Sequence, residues 1–344
     1  MKILLYLGDA YFINGRVGVG TYHSNIIWGL KTDFDIIIPD SYTSELPQNA
    51  NPICLSKKKR KWISFFKWFL PVNFFFKNYD CIVTDSFSFK KGKSKTSLFM
   101  IVHDCMTFTE PKNYTVRQKL YARIASKTYK YADKIIAVSQ TTKQTLHDIF
   151  FLSYRDIVVI PNITSFSVPS GLKENFLYIG DMRKTKNLSM LISGFAEYYK
   201  HNKGAEKLVI AGRKKYEYDC LVKQSQDLGI SEMVIFTGYV SEEEKKSLFA
   251  SAKAVLLLSD NEGFGIPLLE AASNSIPVIC SDIPVFHEIL DEKYAVFVNN
   301  KDVTAIASAF SLISMKTITA EASEKIRVEY SKDNFDRKIN ELFV

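Results

Sequence analysis

Residues 254–270 read AlaValLeuLeuLeuSerAspAsnGluGlyPheGlyIleProLeuLeuGlu, and this stretch decides the fold. Five apolar residues in a row, without alternation, suit a strand covered on both faces, as in a parallel sheet. Gly263 and Gly265 end the run and let the backbone approach a ligand without a Cβ in the way. Pro267 fits the first turn of a following helix, where its missing N–H is not needed. Strand, glycine loop and helix in that order form the repeating unit of a doubly wound α/β sheet.

The same rhythm extends outward in both directions. In the second half, strands are expected at 176–179, 208–211, 234–236, 254–258 and 277–280. Helices are expected at 188–201, 217–228, 242–250 and 265–274. In the first half, strands are expected at 2–7, 35–38, 81–84, 97–102, 134–138 and 157–160, with helices at 19–30, 116–131 and 141–150. Between the halves, residues 161–171 are rich in Pro, Ser and Gly and lose all periodicity, which marks a linker. The expected organisation is therefore one Rossmann-like domain over 1–163 and a second over 164–330. Helical patterns are also expected at 320–329 and 334–343, capping the second domain or, for the segment 331–344, crossing back to the first. Ligands of such sheets lie at the carboxyl ends of the strands, so the cleft between two facing domains is the expected active site.

Composition narrows the class. A chain of 344 residues with 47% hydrophobic content can bury two cores. No run of 18 apolar residues occurs, and the apolar start Ile3–Leu7 is too short for a signal-peptide core, so a cytoplasmic location is expected. Five scattered cysteines with no CxxC pair point to buried thiols rather than disulfides or zinc. The net charge of +8 is uneven: residues 1–163 carry +11 and residues 164–344 carry −3. A basic first half suits a polyanionic partner, whether an anionic membrane surface, a phosphorylated substrate or nucleic acid. No nucleic-acid fold or stacking motif accompanies it, which argues against nucleic acid.

Glu262 and Glu270 bracket the glycine loop. Free N–H groups at the start of the helix, with its dipole, form an anion site of diphosphate size, and two flanking acids can accept bonds from two hydroxyl-bearing groups. A glycine loop with two solvated acids fits the spacing equally well.

The stretch resembles the E-x7-E signature of retaining GT-B glycosyltransferases of family four. Five further segments agree in order and spacing. GlyTyrValSerGluGluGlu (238–244) looks like that family's FTGYVSDEEL segment, and TyrIleGlyAspMetArgLysThrLysAsnLeu (178–188) is similar to its VGTLEPRKNL segment. GlyArgValGlyValGlyThrTyr (15–22) looks like its RxGVGxY loop, and IleValHisAspCysMetThrPheThrGluPro (101–111) resembles its VHDxxPxxxPE segment. LeuValIleAlaGlyArgLys (208–214) adds a matching strand and loop.

The resemblance implies roles, position by position. Glu270 accepts bonds from the nucleotide's ribose hydroxyls. Glu262 binds hydroxyls of the donor sugar, with Gly263, Phe264, Gly265 and Ile266 shaping the loop around it. Lys186 neutralises the diphosphate, and Gly180, Tyr239 and Val240 line the donor site. Gly18 and Gly20 bring backbone N–H groups to the phosphates, and His103 sits beside the transferring sugar. Asp181 and Thr185 stand where the family often carries Arg, which leaves Arg183 as the replacement cation. The implied reaction retains configuration by front-face attack, the leaving phosphate taking the acceptor's proton. It needs no metal and no cofactor; Asp33 and Asp35 mimic a DxD motif but open an apolar strand. The GVGTY, VHD and FTGYV variants are nearest to members using GDP-mannose or related deoxysugar donors. The expected acceptor is lipid-linked or a saccharide, in bacterial O-antigen or capsule synthesis.

The stretch 57–77 begins LysLysLysArgLysTrp and continues through repeated Phe. Basic-aromatic segments of this kind sit in membrane interfaces, rings at the headgroups and cations on anionic lipid. Packing of a helix and a strand into the core is the competing reading. Lys90, Lys91, Lys93 and Lys95 extend the same charge, while the basic positions of 112–134 suit a solvated helix face. The enzyme is thus expected to be peripheral on the inner face of the cell membrane. Two other classes compete: a non-catalytic two-domain sugar- or nucleotide-binding module, and an NAD-dependent enzyme. The second is disfavoured by the long loop before Gly15 and the lack of a partner acid after a second strand.

Overall fold

The computed structural model describes residues 1–8, 12, 18–66, 69–70, 72–85, 95–164, 167–168, 171–204, 206–215 and 217–344. The chain divides into two units, Met1–Ile163 with Lys332–Val344, and Thr164–Ser331.

The first unit runs β1 (Ile3–Tyr6), α1 (Val19–Gly29), β2 (Phe34–Pro39), β3 (Ala50–Leu55), α2 (Lys57–Phe66), α3 (Val72–Phe75), β4 (Cys81–Thr84), β5 (Ser97–Val102), α4 (Met106–Thr109), α5 (Val116–Ala125), β6 (Lys134–Ala137), α6 (Gln140–Phe150) and β7 (Ile157–Val159). Its strands pair in the order β3-β2-β1-β4-β5-β6-β7, every pair parallel. The apolar runs sit in the middle of this sheet: Ile3, Leu4, Leu5, Ile82 and Val83 are wholly buried, as a strand covered on both faces must be.

The second unit runs β8 (Asn175–Ile179), α7 (Leu188–His201), β9 (Lys207–Ala211), α8 (Tyr218–Asp227), β10 (Val234–Gly238), α9 (Glu242–Ser251), β11 (Ala252–Leu257), α10 (Ile266–Ser273), β12 (Val278–Ser281), α11 (Pro284–Ile289), β13 (Ala295–Val298), α12 (Val303–Ile313) and α13 (Ala320–Glu329). The order is β10-β9-β8-β11-β12-β13, again all parallel. Helix α7 packs on α12 so closely that a Cβ on Gly194 would lie 2.3 Å from Ile306. Phe176, Phe195 and Phe310 fill the space beneath, with ring centroids 4.7–6.3 Å apart. The last helix, α14 (Lys332–Asn340), belongs to the first unit and lies against α1, where Asn340 Nδ2 donates to Gly29 O (2.9 Å) and Phe335 packs edge-on to Tyr22.

Several expectations need correction. The stretch 57–77 contains no strand among its described residues; it forms α2 and α3, because it lacks the unbroken apolar run of a sheet core. Ile63 and Phe76 are buried there, whereas Trp62, Phe65, Phe69 and Phe74 are exposed. The helix expected over 116–131 is α-helical only to Ala125 and tightens to 3-10 form over Ser126–Tyr131. Strand β3 was not expected; Pro52 breaks its pattern, and an edge strand tolerates proline. The charges at 90–93, residues 15–17 of the first glycine loop, and parts of 67–71 and of the linker lie outside the described residues.

Candidate functional site

The order of the second sheet reverses between β8 and β11, and ligands of doubly wound sheets lie outside the strand ends at such a reversal. The loops leaving these two strands are stitched together. Asp260 N–H donates to Thr185 O (2.9 Å). Asn187, left-handed at φ 51°, donates through Nδ2 to Leu258 O (2.9 Å) and Asp260 Oδ1 (2.7 Å). Asn300 donates to the Leu258 carbonyl from the far side (3.1 Å).

Those bonds bring Lys186 and Glu262 together. Lys186 Nζ donates to Glu262 Oε1, and Ser259 Oγ donates to the same oxygen at 2.7 Å. The two side chains are only 18% and 14% exposed, so the bond is charge-assisted in a shielded place.

Glu270 lies one turn into α10. Gly265 caps that helix at φ +118°, where a Cβ would also stand 3.0 Å from the Phe286 ring, so the position requires glycine. The Glu270 side chain is 4% exposed, its Oε1 receives Lys245 Nζ at 2.5 Å, and its Oε2 is buried without a hydrogen-bond partner. Burial pushes its carboxyl up to about 7; the Lys245 ammonium opposes the rise and Glu242 adds to it. A buried carboxyl near neutrality with an unpaired oxygen is characteristic of a ligand site.

Around this pair the backbone is crowded. A Cβ on Gly212 at the end of β9 would fall 1.9 Å from Gly180 O, so the two loops touch main chain to main chain. Tyr239, after β10, is exposed with the Arg213 guanidinium 5.6 Å above its ring, and Val240 is half-buried. Phe264 is buried against Tyr330, Gly263 is buried, and Ile266 is half-buried. Arg183 does not join Lys186 at Glu262: it lies 3.5 Å from Asp181, and both side chains are largely exposed.

The first sheet reverses between β1 and β4. There Gly8 N–H donates to Asp85 Oδ1 (2.7 Å), and Asp85 Oδ2 lies 3.2 Å from His23 Nε2 on α1. His103 follows β5, its ring 5.4 Å from that of His23 and edge-on to Tyr22 at 5.3 Å, with Nε2 buried and unpartnered. Burial, helped by His23 and opposed by Asp85, draws the His103 imidazole down to about 4, so it is neutral at pH 7. Burial alone pushes the Asp85 carboxyl up, but His23, His103 and the Gly8 N–H together hold it below its ordinary value. Ligand atoms of His23, Asp85 and His103 lie within 4.8 Å of one another, the spacing of a group that could hold a metal ion. Gly18, at φ +57°, precedes α1, and Gly20 is buried in its first turn.

Comparison with known proteins gives this geometry a family. The family described as "Glycosyltransferase Family 4" matches residues 18–165, and "Glycosyl transferases group 1" matches residues 162–327. The O-antigen chain mannosyltransferase RfbU of Salmonella typhimurium is 31% identical over 242 residues, covering 69% of this chain and 67% of that protein. The chain belongs to the family 4 glycosyltransferases. The serotype-specific mannosyltransferase WbdA of Escherichia coli is 27% identical over 56% of this chain, and the match spans 27% of WbdA's own length. Among solved structures, the lipopolysaccharide outer core galactosyltransferase WaaB aligns with a TM-score of 0.69 at 19% identity, over 100% of this chain and 99% of that one. Sucrose-phosphate synthase from Thermosynechococcus elongatus aligns at 0.77 and 16% identity, over 99% and 98%. These likenesses establish the two-domain GT-B fold.

For this glycosyltransferase, sequence reasoning missed Lys245, Ser259, His23 and Asp85. Lys245 carried a signal: it stands where the similar segment FTGYVSDEEL closes on an apolar Leu. The others become visible only once the loops fold onto one another. No helix among the described residues is long and apolar enough to cross a membrane.

Proposed function

We propose that this glycosyltransferase moves mannose, or a related hexose or deoxyhexose, from a nucleotide-sugar to a lipid-linked or saccharide acceptor, with retention. GDP-mannose is the preferred donor and bacterial surface polysaccharide the setting, a reading supported by the names of the relatives RfbU and WbdA. The observation that carries it is the meeting of Lys186 and Glu262 at the sheet reversal, with Glu270 on the next helix. In this reading Lys186 leaves its carboxylate partner to face the donor's diphosphate, and the freed Glu262 receives a sugar hydroxyl. Glu270 receives the ribose. The bond from the sugar's anomeric carbon to the diphosphate oxygen breaks while the acceptor oxygen bonds to that carbon on the same face. The acceptor's proton passes to the departing phosphate. Lys186 stabilises the charge that develops there, so the reading needs no metal. The neutral imidazole of His103 serves as a hydrogen-bonding group beside the sugar, not as a cation. A non-catalytic binding module is not favoured, because the chain's relatives are transferases.

The same reading makes the enzyme peripheral on an anionic membrane. Helix α2 exposes Trp62 and Phe65 beside Lys57, Lys58 and Lys61. On α5, Val116, Leu120 and Ile124 form an exposed stripe at i, i+4 and i+8, flanked by Arg117, Lys119 and Arg123. Apolar rings and stripes edged with cations suit the headgroup layer.

The test supplies radiolabelled GDP-mannose and lipid-linked saccharides extracted from bacterial membranes. Label is expected in the lipid fraction, in a linkage that α-mannosidase opens. A β-linked product would overturn retention, and no transfer from GDP-mannose while another nucleotide-sugar works would overturn the donor.

A further inference from the structure

Glu270 is held by a residue that has no place in the reading above. Lys245, on the first turns of α9, reaches across to α10 and puts its ammonium on Oε1 of a carboxylate that is otherwise sealed from water. The other oxygen, Oε2, is buried and has no hydrogen-bond partner. Orphaned buried oxygens are costly, and persist where a ligand completes them. Elsewhere on the same residue the backbone is fully engaged: the Glu270 carbonyl accepts from both Ser273 Oγ (2.9 Å) and Asn274 Nδ2 (2.8 Å). One acceptor alone is left open, and Lys245 decides which one it is.

We propose that Lys245 is a positioning residue of the nucleotide site, pinning Oε1 of Glu270 and presenting Oε2, ionised, to the ribose hydroxyl. The inference rests on the reading of Glu270 as a ribose ligand. Among the described residues, Lys245 is the one favourable charge on the carboxyl. On α9, Glu242 lies near enough to oppose ionisation, and is itself 3.9 Å from Lys245. Of the elements packed on α10, α13 sends Arg327 to Ser273 O and Glu324, β11 turns Lys253 to Glu206, and β12 offers the buried thiol of Cys280. Burial and Glu242 both favour the protonated carboxyl, so removing the ammonium moves the carboxyl's titration upward.

The experiment measures binding of a nucleoside diphosphate across pH 5.5–9 by calorimetry, using whichever of GDP, UDP, dTDP and ADP the wild type holds. Wild-type affinity is expected to rise through pH about 7, where Glu270 ionises. In Lys245→Met, which keeps the length and apolar stem, the midpoint is expected at least one unit higher, a loss of about fivefold or more in affinity at pH 7. Lys245→Arg is expected to restore the wild-type midpoint. A structural role would lower affinity equally at all pH values. The inference is overturned if Lys245→Met keeps the wild-type midpoint, or if Lys245→Arg behaves like Lys245→Met. Glu270→Ala separates the two claims. If it binds the nucleotide as well as wild type does, the ribose reading fails and the inference falls with it. If it loses binding while Lys245→Met shows no pH shift, only the role of Lys245 fails.

Discussion

Each sheet has a cluster of ionisable side chains where its strand order reverses, and the two clusters are built in opposite ways. At β8 and β11, carboxylates meet ammonium groups, Glu262 with Lys186 and Glu270 with Lys245. At β1 and β4, a carboxylate meets two imidazoles, Asp85 with His23 and His103. Burial acts on both, but with opposite consequences. It raises the Glu270 carboxyl to about 7 and lowers the His103 imidazole to about 4. Both shifts disfavour charge, as desolvation must. The second unit therefore holds its charges in ion pairs, whereas the first presents a neutral ring.

The largest effect is expected from removing Lys186, the cation paired with Glu262. Lys186→Ala is expected to lower kcat/KM by about 10²–10³-fold, the scale of losing one preorganised donor at a developing charge. A loss of less than threefold in steady-state kinetics would deny Lys186 that role.

Next come the two pH responses, which should slope in opposite directions. The Glu270 carboxyl binds its proton more tightly folded than unfolded, so its contribution is most favourable below its unfolded value of 4.5 and declines as pH rises to about 7. Glu270→Gln removes that decline. Its Tm is expected to exceed wild type's by several degrees at pH 8 and to differ little at pH 5, measured by circular dichroism. The His103 imidazole binds its proton less tightly folded, so stability rises with pH from about 4 to 6.5 and is lost on acidification through that window. His103→Asn is expected to lose only part of that acid sensitivity, since Asp85 also unbinds its partners at low pH. If both variants melt in parallel with wild type at every pH, the contrast between the clusters is false.

The smallest expected effect concerns activity at His103. A neutral ring contributes a hydrogen bond of about 1 kcal/mol, so His103→Ala should lower kcat about fivefold to tenfold. Because the ring is already neutral, the wild-type rate should show no limb from it between pH 6 and 8. A limb in that range that vanishes in His103→Ala would show the ring to be charged.

How far the sequence announces these clusters differs as well. Unbroken apolar runs placed β4 and β5 at their observed bounds, and helical periodicity did the same for α7 and α13, because these elements are buried or amphipathic in the way such patterns report. Strand β3 and helices α11 and α12 escaped: Pro52 interrupts one, and the others are short or apolar all round. Within the site, Glu262, Glu270 and Lys186 were legible through ordered motifs. Their partners were not. Ser259 is a loop serine like any other until the Asp260–Thr185 bond closes the loops, and Lys245 reads as one more cation in an acidic-basic helix until its ammonium meets Glu270. His23 and Asp85 sit 62 residues apart in sequence and meet only through the strand order of the sheet.

Whether Glu262 and Glu270 hold a nucleotide-sugar donor is decided by a thermal-shift comparison. Wild type and Glu270→Ala are melted with UDP, GDP, dTDP and ADP, since a ligand that binds only the folded state raises its melting temperature. At least one nucleotide, GDP foremost, is expected to raise the wild-type Tm by several degrees and to leave Glu270→Ala unmoved. That role is contradicted if none of the four shifts the wild type, or if the shift survives undiminished in Glu270→Ala.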